Sequence, residues 1–242
     1  MKNRFFHLLM IGTLACWSPQ PIFAQTDVTE TYLKNPRFEN QFTDWENSGM
    51  QSQTNTSFQL KEGNTYVERW TGQGGQVADC HVSQTLTTLK NGVYKLTAAA
   101  QNIQQNNPAT QSGAYVFAGN AQVAVGAAND YSLEFTVIEG QATIGFKAEN
   151  ATGNWVACDN FRLYALNNDL AEIQEELQRR IEKGQALVSE KMQKDVLKEV
   201  NAALEAARQE LNSTTDDNMA PVAIRLRQAT EAAQTSIHAY QE

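Results

Sequence analysis

Histidine, cysteine, surplus basic charge and long apolar runs are all scarce in this 242-residue chain, and each scarcity removes a class of function. Beyond the first 24 residues only His81 and His238 remain, and they fall in different predicted domains. No zinc-ligand spacing, no Gly-x-Ser-x-Gly elbow and no phosphate-cradling glycine loop is present. A net charge of −8, spread evenly along the chain, and a pI near 5.0 argue against a nucleic-acid partner, which requires a basic face. The apolar run over residues 5–17 is too short to span a bilayer. Two cysteines remain after residue 24, Cys80 and Cys158. Each falls in a strand-like run, so a disulfide and a pair of small buried hydrophobes are both open readings.

What is present begins with an address. Lys2 and Arg4 precede the apolar run, and Ile22-Phe23-Ala24 closes a short polar stretch. This pattern predicts a secretory leader over residues 1–24, cut before Gln25, and an exported protein without a transmembrane segment. The alternative is lipoprotein processing at Cys16, against which Thr13 stands where a larger aliphatic residue is usual.

Residues 25–166 alternate between short apolar runs and polar turns. Strands are predicted over Tyr66–Trp70, Cys80–Leu86, 93–99, Ala114–Ala118, 132–137, Ala142–Ala148 and 155–166. Asn91-Gly92 predicts a tight hairpin between the second and third of these. Many short strands without an intervening helix describe an all-β sandwich. After Leu166 the period changes. Leu170, Ile173, Leu177 and Ile181 mark one helical stripe; Val196, Val200, Leu204, Ala207 and Leu211 a second; Val222, Leu226, Ala229, Ala233, Ile237 and Tyr240 a third. The reading is a small all-α three-helix bundle over 167–242, separable from the sandwich.

The last strand carries the most pointed chemistry. Trp155, Ala157, Phe161 and Leu163 share one parity, and Asp159 interrupts it with a carboxylate. A carboxylate turned toward a core needs a partner. No cation is placed for it by sequence, so a metal ion is a candidate. Asn35-Pro36-Arg37-Phe38-Glu39 supplies a fixed turn, the core anchor Phe38 and a second carboxylate, with Trp45 as a further anchor.

Together these residues resemble a family. Asn-Pro-x-Phe-Glu with its downstream Trp, the segment from Val82-Ser-Gln-Thr-Leu to Asn91-Gly-Val-Tyr-Lys-Leu, and the closing Asp159-Asn-Phe-Arg-Leu resemble, in that order, galactose-binding-like jelly rolls. Such domains occur as carbohydrate-binding modules and accessory domains of secreted bacterial glycoside hydrolases. The helical part resembles the FIVAR-type three-helix modules that accompany them. The resemblance implies a structural calcium held by Glu39 and Asp159, with backbone carbonyls near Asn35 as further ligands. Calcium suits such a set, being a hard ion that accepts several oxygens. Without the resemblance, Glu39 reads as solvated and Asp159 as a turn cap. Catalysis is not expected: Glu39 and Asp159 mimic a glycosidase pair, but the sandwich has little spare chain for a substrate cleft.

The resemblance implies a glycan or polysaccharide as partner. Sugar rings stack their C–H faces on flat aromatic side chains while amides bond the hydroxyls. Trp70, ending a strand beside the glycine-rich Thr71-Gly-Gln-Gly-Gly75, is the candidate platform; its other reading is core. Gln101 and Asn102, with Gln104, are the candidate amides, and Tyr115 and Tyr131 are further aromatics. Trp45 and Trp155 read as core. The competing function is a spacer, a protein-interaction module acting through the helices, or the remnant of a larger hydrolase.

Overall fold

The computed structural model describes residues 25–188 and 191–239. The expected leader, Cys16 within it and Tyr240 at the end of the third stripe lie outside those residues.

In chain order the strands are β1 (Thr26–Asp27), β2 (Glu46–Ser48), β3 (Gln51–Gln53), β4 (Tyr66–Trp70), β5 (Cys80–Leu86), β6 (Gly92–Ile103), β7 (Ala114–Ala118), β8 (Ala121–Ala124), β9 (Asn129–Val137), β10 (Ala142–Ala148) and β11 (Trp155–Asn167). One sheet runs β3-β4-β11-β6-β9, with β1 added to the end of β11; the other runs β2-β5-β10-β7-β8. Every pairing between these strands is antiparallel. The inward rows of the two sheets close one core around Phe38, Trp45, Val82, Leu96, Phe146 and Phe161. Trp45 lies 4.8 Å from the Phe38 ring and 4.9 Å from Phe161, so the N-terminal motif and the last strand share one aromatic contact. Cys80 and Cys158 are buried and unbridged. Burial pushes the Cys80 thiol up to about 11 and Cys158 well above its ordinary value, as expected of inert core cysteines.

Two expectations are corrected. β5 and β6 do not form the hairpin that Asn91-Gly92 predicts. They lie in different sheets, and residues 87–91 cross between them. Asn91 accepts a hydrogen bond from the Gly140 amide at 3.2 Å, tying this crossing to the one from β9 to β10. The parity of β11 is corrected too. A bulge between Asp159 and Arg162, with Asn160 at φ 54°, shifts the alternation by one residue. Val156, Cys158, Phe161 and Leu163 face the core, while Trp155, Ala157 and Asp159 stand on the outer face. The Phe161 amide donates to the Pro36 carbonyl at 2.9 Å, so the Asn-Pro turn secures the bulge.

Three helices follow: α2 (Leu170–Leu187), α3 (Lys194–Glu210) and α4 (Met219–Ala239), after a single early turn, α1 (Thr29–Tyr32). Asp169 caps α2 by accepting from the Ala171 amide at 2.9 Å. Ile173, Leu177, Val200, Leu204, Met219 and Leu226 bury their side chains in one cluster, which also takes Ile138 from the sandwich. Gly184 lets α2 and α4 approach, since a Cβ there would come within 2.8 Å of Thr230. Next to Ile138, the carboxylate of Glu139 pairs with Arg180 of α2 and Arg227 of α4. The helices are therefore fastened to the sandwich by an apolar plug and an ion-pair clasp at one connection.

Candidate functional site

The outer face of the six-stranded sheet is organised in cross-strand rows. Trp70, Trp155 and Ile103 align across β4, β11 and β6; Gln51, Glu68, Ala157 and Gln101 form the next row. Tyr66 and Asp159 follow at the far end. A segment carrying Phe58 and Leu60 covers that end, so Phe58, Tyr66, Ala99, Trp155 and Ala157 form a small second core. Beneath it lies Glu68, which accepts from Trp155 Nε1 at 2.7 Å, Tyr66 Oη at 3.0 Å and Gln53 Nε2 at 3.3 Å. Burial, and after it the hydrogen bond to Glu68, push the Tyr66 phenol well above its ordinary value.

At the opposite end the face is open. Trp70 is 59% exposed, the single large hydrophobic side chain standing in solvent among the described residues. The neighbouring glycine-rich loop is tied down by side-chain hydrogen bonds. Gln104 donates to the carbonyls of Gly75 (2.9 Å) and Thr152 (3.2 Å) and accepts from the Gly74 amide (3.1 Å). Asn154 donates to Thr71 O at 2.9 Å and accepts from the Gln105 amide at 2.7 Å. Asn154 escaped the sequence reading: it stands before a strand as a turn residue would, and only the fold shows what it ties together.

The expected amides are corrected. Gln101 and Asn102 are 3% and 1% exposed and, as neighbours in a strand, point to opposite faces. Asn102 faces inward and donates to Ser112 O at 2.9 Å. Gln101 lies on the outer face but in the buried row. Neither reaches solvent beside Trp70. Exposed amides in the loops at this end include Gln73, Gln76, Gln105, Asn106 and Asn107. Tyr131 latches a turn, accepting from the Gly126 amide and donating to Ala127 O.

The covered end holds the carboxylates. Asp159 is fully buried; Oδ2 accepts from the Glu62 amide at 2.7 Å, and Oδ1 has no hydrogen-bond partner. Burial raises its pKa to about 7, against the amides of Glu62 and Asn160 and with help from the charges of Glu39 and Glu62. Glu39 accepts from the amides of Asn64 (2.7 Å) and Thr65 (3.1 Å). Burial works to raise its pKa, and these donors outweigh it, so it stays below the ordinary value. Asn35 organises its turn: its amide donates to Gln41 O and Thr43 O, and its carbonyl accepts from Trp45 Nε1 at 3.1 Å. Among the described residues no three His, Cys, Asp or Glu side chains gather as a metal site. The fit to a hard cation thus rests on the orphan Oδ1 of Asp159 with Glu39 nearby, while Asn35 is already engaged.

No family model matches the chain, and no curated protein does. Solved structures similar to it include the carbohydrate-binding module TmCBM61 in complex with β-1,4-galactotriose (21% identity, 55% of this chain and 97% of that one, TM-score 0.44). A family 35 carbohydrate-binding module from Clostridium thermocellum is similar at 14% identity over 51% of this chain and 93% of its own, TM-score 0.36. An apo cyclase from Fischerella sp. is similar at 16% identity over 55% and 94%, TM-score 0.35.

Proposed function

We propose that the chain is an exported, non-catalytic carbohydrate-binding protein, an accessory to polysaccharide or glycan breakdown, whose sandwich holds a sugar ring against Trp70. One observation carries the reading: a tryptophan stands in solvent at the open end of a sheet face, beside a loop that Gln104 and Asn154 tie down. A pre-ordered platform binds at lower entropic cost than a mobile one. Gln73 and Asn106 take the place of Gln101 and Asn102 as hydroxyl partners.

In the same reading the sandwich is a galactose-binding-like jelly roll with a structural calcium held by Asp159 and Glu39. A cation there would supply the missing partner for Oδ1 and neutralise mutually repelling carboxylates. The helices form a FIVAR-like module over 167–242 that lends support to the sandwich. Among the described residues they expose no large apolar side chain that would mark a protein partner. The test is a broad screen of immobilised glycans against the full chain. Saturable binding to one class of glycan is the expected result, and a blank screen favours the spacer reading.

A further inference from the structure

The outer face of the five-stranded sheet carries a second surface built on different residues. Strand register aligns Ser48, His81, Lys147 and Tyr115 in one row across β2, β5, β10 and β7. The next row is Glu46, Ser83, Gly145 and Phe117. Gly145 is what seats the aromatic: a Cβ there would stand 3.1 Å from the Phe117 ring and 2.1 Å from Val82 O. With no side chain at that position, the ring settles against the strand. Lys147 Nζ lies 5.7 Å from the Tyr115 ring centroid and 6.0 Å from that of Phe117, and 3.1 Å from Glu149 Oε2. A cavity of about 230 Å³ opens here, lined by Ser48, Asp79, His81, Phe117, Lys147 and Glu149 among others.

We propose that this face is a second carbohydrate site, which takes an uncharged pyranose ring. The volume sets the size: a cavity of about 150 Å³ accepts benzene, so this one has room for a six-membered ring bearing hydroxyls. Phe117 supplies a flat apolar surface for the C–H face of the sugar. The charges set the class. Two carboxylates, Asp79 and Glu149, oppose one ammonium, Lys147, which disfavours an anionic sugar. Vicinal hydroxyls both donate and accept, and so satisfy Lys147 and Glu149 together without leaving either charge unpaired. The Trp70 platform lies on the other sheet, so the sandwich would present one site on each outer face. The two sites are independent in their residues, and each can fail without the other.

The test is amide chemical-shift mapping of the full chain, titrated with neutral cello-, xylo-, manno- and galacto-oligosaccharides and with oligogalacturonate. Phe117→Ala, Lys147→Met and Trp70→Ala are compared with the parent after a thermal melt shows each folded. The expected result is shifts clustered on β5, β7 and β10 that persist in Trp70→Ala. Phe117→Ala and Lys147→Met should each weaken them by about tenfold or more. Shifts confined to the Trp70 end, or abolished everywhere by Trp70→Ala, would overturn the second site and leave the first. Shifts only at Phe117 would do the reverse. Tighter binding of oligogalacturonate than of every neutral sugar would overturn the uncharged class, and an unresponsive protein would overturn both sites.

Discussion

Trp70 and Trp155 stand opposite each other on neighbouring strands and share one sheet face, yet one is 59% exposed and the other 9%. Propensity and parity treat them alike; what separates them is cover and a partner. Trp155 lies next to the Phe58 cluster and donates to the buried carboxylate of Glu68, whereas Trp70 sits one strand closer to the edge, past the end of that cover. A single sheet face is thus core at one end and open to solvent at the other. The same residue type is buried or exposed according to what lies above it.

The largest effect that sharpens this contrast is expected at Trp155. Trp155→Ala should cost roughly 3–5 kcal/mol, the range for emptying a large aromatic site. It also takes one donor from Glu68. Denaturant unfolding measures the loss; a cost below about 1 kcal/mol would mean that Trp155 is a surface residue like its neighbour.

Next comes Asp159, at the covered end. Its pKa is about 7 in the fold against an ordinary value of 3.8. The folded state therefore holds a proton that the unfolded state has lost, and stability falls as pH rises through that window. Above pH 7 the full cost is about 4 kcal/mol. In chelator at pH 8, Asp159→Asn should therefore be more stable than the parent by up to that amount, with little difference at pH 4. Calcium should reverse the order, stabilising the parent by roughly 2.7 kcal/mol at about 100 times the dissociation constant and leaving the variant unmoved. A parent melt that calcium does not shift would remove the ion from the proposal.

A smaller effect is expected where the sandwich meets the helices. Glu139→Ala releases Arg180 and Arg227, but Glu176 and Glu231 already share these guanidinia and compensate in part. The cost should lie near 1–3 kcal/mol, below that of breaking an isolated buried pair. It should appear as a helical melt that precedes the loss of β structure. If one transition persists, the Glu139 ion pairs are not what couples the two parts.

These contrasts also mark how far the sequence could be read. Alternation and turn residues placed most strands, and heptad spacing placed the three helices. The failures share one cause: pairing between distant strands overrides local preference. β6 continues through Gln101 and Asn102 because β11 pairs with it there, although Asn is a poor strand former and the polar pair resembles a loop. The bulge at Asn160 adds a residue that a period of two cannot register, so Trp155 and Phe161, on one parity in the sequence, face opposite sides of the sheet. Asn91-Gly92 resembles a hairpin turn in sequence, but residues 87–91 instead cross to the other sheet, and Gly92 opens β6.

The smallest expected effect on stability is the one that decides function. Trp70→Ala removes a side chain that packs little, so the melt should stay within about 0.5 kcal/mol of the parent. Glycan binding, measured on whichever glycan the screen returns, should fall by about a factor of ten, which corresponds to about 1.4 kcal/mol. Trp70→Phe keeps a ring and should restore part of the affinity, which a merely steric role would not predict. If Trp70→Ala instead destabilises the fold as strongly as Trp155→Ala, the two tryptophans are alike after all and neither is a platform. If the variant is stable and binds as the parent does, the exposed ring is incidental and the sugar is held elsewhere on the sandwich. Only loss of binding with an unchanged melt keeps the two tryptophans in different roles.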